Sequence, residues 1–228
     1  MGKKCVFTFG RFQVPTKGHE ELIRFVMSYA QRNGAEGRIY PSKSQDPNKN
    51  PLPYRDKVQF LRLLFPWANI VDDPKAVNAF AICRELSDKG YDDVTFVVGD
   101  DRVAEFKASL TKYVKPKTAR DFNPKIHYPF KEFQVVSSGA RKAGISGTDL
   151  RKAVKTGDFA TFAKTSAARD RSLARKIYAA TKSQLREDVS TGLSRKDFHE
   201  KLMSFVDFTC DHLGIDELPT IHYKDDKG

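Results

Sequence analysis

Cysteine, long apolar runs and acidic charge are what this 228-residue chain is short of. Its three cysteines, Cys5, Cys83 and Cys210, are odd in number and far apart. Such spacing excludes a disulfide scaffold and matches no zinc site, so they read as buried, reduced thiols. No apolar run approaches the roughly 18 residues that a membrane-spanning helix needs. The apolar stretch behind Lys3 and Lys4 is too short for the core of a signal peptide. A cytoplasmic protein without a membrane segment is the expectation. Asp and Glu number 29 against 40 Lys and Arg, a net charge of +11. That balance favours phosphorylated or polyanionic partners. No internal repeat is visible.

What is present alternates. Short β-favouring runs at 4–9, 38–40, 69–71, 94–98 and 133–136 take turns with helical patterns at 20–32, 55–65, 75–89 and 102–113. A further helix opens within "ISGTDLRKAV". Alternation of this kind implies parallel strands joined by right-handed helical crossovers, an α/β, Rossmann-like doubly wound sheet. Beyond Thr156 the strands cease. Helices are expected over 159–164, 172–186 and 194–213, which gives a domain over 1–155 and a helical C-terminal extension over 156–228.

Two turns carry chemistry. In "FGRFQVPTKGH" a strand ends at Gly10, and Gly18 and His19 open a helix. Glycine permits a sharp turn and close approach of a ligand. A helix N-terminus offers unpaired N–H donors and partial positive charge, a seat for phosphate. His19 adds a directed donor there, and Thr16 a hydroxyl. In "ISGTDLRKA" Ser146 is an N-cap with Asp149 three residues on, a capping-box arrangement. Gly147 and Thr148 leave N–H groups and a hydroxyl open, and Arg151 can fork onto phosphate oxygens. Gly99 of "VVGDDR" lies past a third strand, so three separated segments converge on the carboxyl edge of the sheet, where such folds bind ligands. Each turn taken alone is an ordinary βα loop or a well-capped helix.

Together they resemble a family. "GRFQVPTKGH" resembles the G-x-F-x-P and [HT]-x-G-H signature of the nucleotidyltransferase superfamily of adenylyl- and cytidylyltransferases, with Gly10, Arg11, Phe12, Gln13, Thr16, Gly18 and His19 in register. The Arg-Phe-Gln trio is most like the nicotinamide mononucleotide adenylyltransferase branch. Thr16 in place of the first histidine is the variant familiar from phosphopantetheine adenylyltransferases. Pro15 sits one place later than the usual proline. "ISGTDLR" is similar to the second signature at every position.

The resemblance spans residues 4–155 and implies magnesium-assisted transfer of a nucleoside monophosphate from a triphosphate, releasing pyrophosphate. It implies Thr16 and His19 at the α-phosphate and Ser146, Thr148 and Arg151 at the β- and γ-phosphates. Lys43, in "SKSQ" before "YRDKVQFL", would hold the acceptor phosphate; the resemblance says less about Lys49, which the polar loop itself suggests as part of a mobile lid. The implied catalytic set is His19, Thr16, Lys43 and Arg151. Nucleotide contacts fall to Gly10, Arg11, Phe12, Gly18, Gly99, Asp101, Arg102, Ser146, Gly147 and Thr148. No residue is assigned as a metal ligand, and Mg²⁺ would accompany ATP as substrate.

The acceptor stays open between nicotinamide mononucleotide and a phosphopantetheine, FMN, sugar-phosphate or alcohol-phosphate compound, with CTP as an alternative donor. A reading from another class is also open. The basic stretch 164–186, with Arg169, Arg171, Arg175, Lys176, Lys182 and Arg186, suits a nucleic-acid-binding or assembly protein. An oligomer is compatible with either.

Overall fold

The central strand shows why the sheet is covered on both faces. In β1 (Lys3–Gly10) four consecutive residues, Cys5 to Thr8, are all buried, the mark of a parallel strand walled on two sides. The computed structural model describes residues 2–140 and 146–185. The expected helix over 194–213, Cys210 and Ile145 lie outside the described residues.

β2 (Glu36–Pro41), β3 (Tyr91–Val98) and β4 (Glu132–Ser137) complete a sheet of order β2-β1-β3-β4. Every pairing is parallel. Side chains alternate across it. Cys5 and Phe7 face one core with Phe96, α3 (Ala79–Asp88) and α4 (Val103–Thr111). Val6 faces the other with Ile39, Val97, α1 (Lys17–Arg32) and α2 (Tyr54–Leu64). With helices on both faces, the fold is the expected doubly wound α/β sheet. Cys5 and Cys83 are free and buried, and burial pushes the Cys83 thiol up to about 12.

Three expected elements are shorter than their sequence patterns. Residues 69–71 contribute a single parallel bridge, Ile39 to Ile70, because Asp72, Asp73 and Pro74 turn the chain at once. The helix expected from residue 75 starts at Ala79, since Asn78 caps it by accepting the Ala81 amide at 2.8 Å. One 3₁₀ turn, Asp100–Arg102, precedes α4.

The remaining helices are α5 (Gly147–Lys155), α6 (Phe159–Thr165) and α7 (Arg171–Gln184). Their apolar faces share a third core with Val14 and Leu52, both 0% exposed. The link between α6 and α7 pairs with the turn after β1: Thr16 and Ser166 form an antiparallel bridge, and the Ala167 amide donates to the Pro15 carbonyl at 3.1 Å.

Candidate active site

Strand order sets the location. The chain leaves β1 for β2 on one side, and leaves β3 for β4 on the other. The loops after these adjacent strands therefore diverge and open a crevice at their carboxyl ends, the topological switch point. Gly10 and Gly99 stand at its two lips.

The turn after β1 is built on Phe12, which is 0% exposed and holds a left-handed backbone with φ 47°. Such a φ is costly for a bulky residue and persists only where packing enforces it. Gly10 was expected to supply a backbone turn. Its role is different: a Cβ there would lie 3.2 Å from the Phe12 ring, so glycine makes room for the phenyl. Phe12 in turn supports the imidazole of His19, ring centroids 5.1 Å apart. Phe12 is thus a foundation beneath the surface, not a surface for a nucleotide.

His19 is the third residue of α1. Its amide donates to Thr16 Oγ1 at 3.3 Å, and its Nδ1 accepts the Thr16 amide at 3.0 Å. Accepting at Nδ1 places the proton of the neutral ring on Nε2. Thr16 is 2% exposed, with its hydroxyl also 3.0 Å from Nδ1. It acts by orienting His19. Gly18 lies within the first turn of the same helix.

The second turn docks against the first. Ser146 and Asp149 form the expected reciprocal cap of α5, and hydrogen bonds from Ser146 hold the Asp149 carboxyl below its ordinary range. A Cβ on Gly147 would sit 2.2 Å from the Gln13 carbonyl oxygen, so this contact admits glycine alone. Arg151 spans the junction. Its Nη1 donates to the same Gln13 carbonyl at 2.7 Å and its Nη2 to Thr148 Oγ1 at 3.0 Å. Neither partner neutralises it. Burial, and secondly the charge of Arg11, push its guanidinium below the usual value, though arginine remains ionised. The N-terminus of α5 and the Arg151 guanidinium thus dock on the carbonyl of the turn that leads into α1, with the charge of Arg11 felt by Arg151, an arrangement that attracts polyanions.

Other expected residues are placed differently. Lys43 follows β2 at the same edge, but its Nζ donates to the Pro74 carbonyl and lies 5.3 Å from the Tyr54 ring. Asp101 and Arg102 follow Gly99 and are exposed. Arg102 pairs with Glu105 at 2.9 Å and stacks on Phe106, both on the adjoining α4. Lys49 is exposed, its amide bonded to the Asp46 carboxylate at 2.7 Å.

Sequence reasoning missed three supports. The Gln13 side chain pairs with both backbone groups of Leu52, at 2.8 and 2.9 Å, tying the polar loop to the first turn. Glu20 accepts from Arg24 at 2.7 Å and from Arg169 at 2.9 Å. Burial alone would raise the Glu20 carboxyl, but these hydrogen bonds outweigh it and hold it low. Lys57 is wholly buried on α2. Its position on the Val58 and Leu61 stripe was the only available signal. Among the described residues no group of three or more His, Cys, Asp or Glu side chains could hold a metal ion, and no helix is long and apolar enough to cross a membrane.

A model of the cytidylyltransferase-like family matches residues 7–153. The chain belongs to that family. Solved structures agree in fold. The nicotinic acid mononucleotide adenylyltransferase of Plasmodium falciparum complexed with APC superposes with TM-score 0.50 at 12% identity, covering 78% of this chain and 94% of that one. The same enzyme complexed with NaAD gives 0.51 at 11%, covering 78% and 95%. A Vibrio parahaemolyticus protein assigned as a nicotinate-nucleotide adenylyltransferase gives 0.52 at 17%, covering 80% and 98%. No curated protein sequence matches. Family membership and fold support a nucleotidyltransferase, and both signature turns fall inside the matched span.

Proposed function

We propose that this chain transfers AMP from ATP to a small phosphorylated acceptor, with nicotinamide mononucleotide the first candidate, forming NAD and pyrophosphate. The observation that carries the reading is the Gln13 carbonyl, which Arg151 grips and Gly147 touches. Through it the N-termini of α1 and α5 serve one anion. In the reaction an acceptor phosphate oxygen attacks the α-phosphorus, the bond to the bridging oxygen breaks, and pyrophosphate leaves with the electron pair. Positioning and charge stabilisation account for catalysis of this kind.

His19, held by Thr16 with its proton on Nε2, donates to the α-phosphate as charge grows there. Ser146, Thr148 and Arg151 hold the β- and γ-phosphates, and Arg11 adds charge at the rim. Lys43 exchanges the Pro74 carbonyl for the acceptor phosphate. Gly99 and Asp101 border the nucleoside. The donor set is cationic and hydroxylic, which suits a triphosphate that carries its own Mg²⁺. That ion, a hard oxygen-seeking cation, would neutralise the leaving pyrophosphate. The Arg-Phe-Gln trio supports the choice of acceptor, and structural neighbours named for nicotinic acid mononucleotide, its carboxylate analogue, support a pyridine mononucleotide in general.

A pyrophosphate-release screen of ATP and CTP against nicotinamide mononucleotide, phosphopantetheine, FMN and sugar phosphates tests this. Release with ATP and nicotinamide mononucleotide is expected, and His19→Ala should lower turnover about 100- to 1000-fold while melting cooperatively. Silence with every pair, or an undiminished His19→Ala, overturns the reading.

A further inference from the structure

Among the described residues, one fully buried charged side chain lies outside both phosphate-facing turns. Lys57 is 0% exposed in the first turn of α2, where its neighbours Val58 and Leu61 are apolar and buried. Its Nζ donates to one neutral acceptor, the Ser42 carbonyl. Burial pushes the amine down to about 8. Enclosing an ammonium against a single carbonyl costs stability, and an apolar side chain of similar length would serve the core better.

Ser42 explains what the lysine achieves. Its amide donates to the Gly10 carbonyl at 2.7 Å, carrying the β1–β2 pairing one rung past Gly10↔Pro41 into the crevice. Its hydroxyl lies 2.9 Å from that of Ser44, and Lys43 stands between the two serines. One buried amine therefore fixes the strand end that joins the first turn to the acceptor side.

We infer that Lys57 is a positioning residue for the acceptor: by gripping the Ser42 carbonyl it holds segment 42–44, and Lys43 with it, against the Gly10 turn. This rests on the transferase reading above. The donor triphosphate is held by the other two turns and is unaffected.

The test is steady-state pyrophosphate release by wild type and Lys57→Met, using ATP and the acceptor that wild type turns over. Loss of one charge-assisted hydrogen bond corresponds to roughly tenfold or more. The acceptor KM should rise by about that factor, with the ATP KM within about threefold and the melting temperature at pH 7 equal or higher. Greater stability with poorer acceptor binding is an outcome that a merely structural lysine cannot produce. If Lys57→Met does not melt cooperatively, Lys57→Gln carries the same readouts, and failure of both to fold marks the lysine as structural and overturns the inference. Wild-type turnover with an unchanged acceptor KM overturns it alone. A wild type that releases no pyrophosphate from any pair overturns the transferase reading and this inference with it.

Discussion

Glycine at residue 147 and glycine at residue 10 look alike in sequence and do different work. At Gly147 an added Cβ meets a backbone oxygen at 2.2 Å, whereas at Gly10 it meets a phenyl edge at 3.2 Å. A backbone contact has nowhere to go. Gly147→Ala should therefore separate α5 from the first turn, lower turnover at least tenfold, and destabilise by about 1–3 kcal/mol. Gly10→Ala should cost less, because the Phe12 ring can shift by tenths of an ångström. Turnover assays and urea melts of the pair check the order, and equal effects would defeat the account. The local chemistry of these turns was legible in advance: the Ser146–Asp149 cap and the His19 helix start are encoded within four residues. The reason for Gly10 was not, since it depends on where Phe12 packs.

Among the elements, the polar loop after β2 is the one whose anchorage was least visible. Gln13 binds Leu52 through both ends of its side-chain amide, Nε2 donating and Oε1 accepting, and both residues are buried. Gln13→Leu should leave the Leu52 N–H and C=O unpaired, at about 1–3 kcal/mol each. It should also loosen the loop, seen as faster proteolysis within 44–52 at unchanged α-helix content. Protection equal to wild type would refute the tether. Helices and strands followed their apolar periodicity, and misplacements came where a local cap competed with it, as Asn78 does at the start of α3. Contacts that join distant segments, such as Gln13 to Leu52 or Arg169 to Glu20, have no periodic signature, so sequence patterning was silent about them.

For the whole molecule, the buried lysine sets a stability profile with a definite sign. The Lys57 amine lies near 8 when folded and 10.5 when free, so the unfolded chain binds more protons between those values. Stability from this group is penalised in full below pH 8 and recovers as pH rises to 10.5, by about 3 kcal/mol in total. Cys5 and Cys83, whose thiols are raised from 9.0, pull the opposite way as pH climbs through 9. The difference between wild type and Lys57→Met isolates the lysine: it should shrink steadily in urea melts from pH 7.5 to 10. A flat difference would mean that folding leaves the proton affinity of the amine unchanged. The chain also contains one tryptophan, Trp67, 41% exposed and 4.6 Å below the Arg24 guanidinium. Arg24 is bonded to Glu20, the residue after His19, so the indole is wired to the first turn of α1. Its fluorescence is consequently a built-in optical gauge of that turn, needing no dye and free of interference from a second indole.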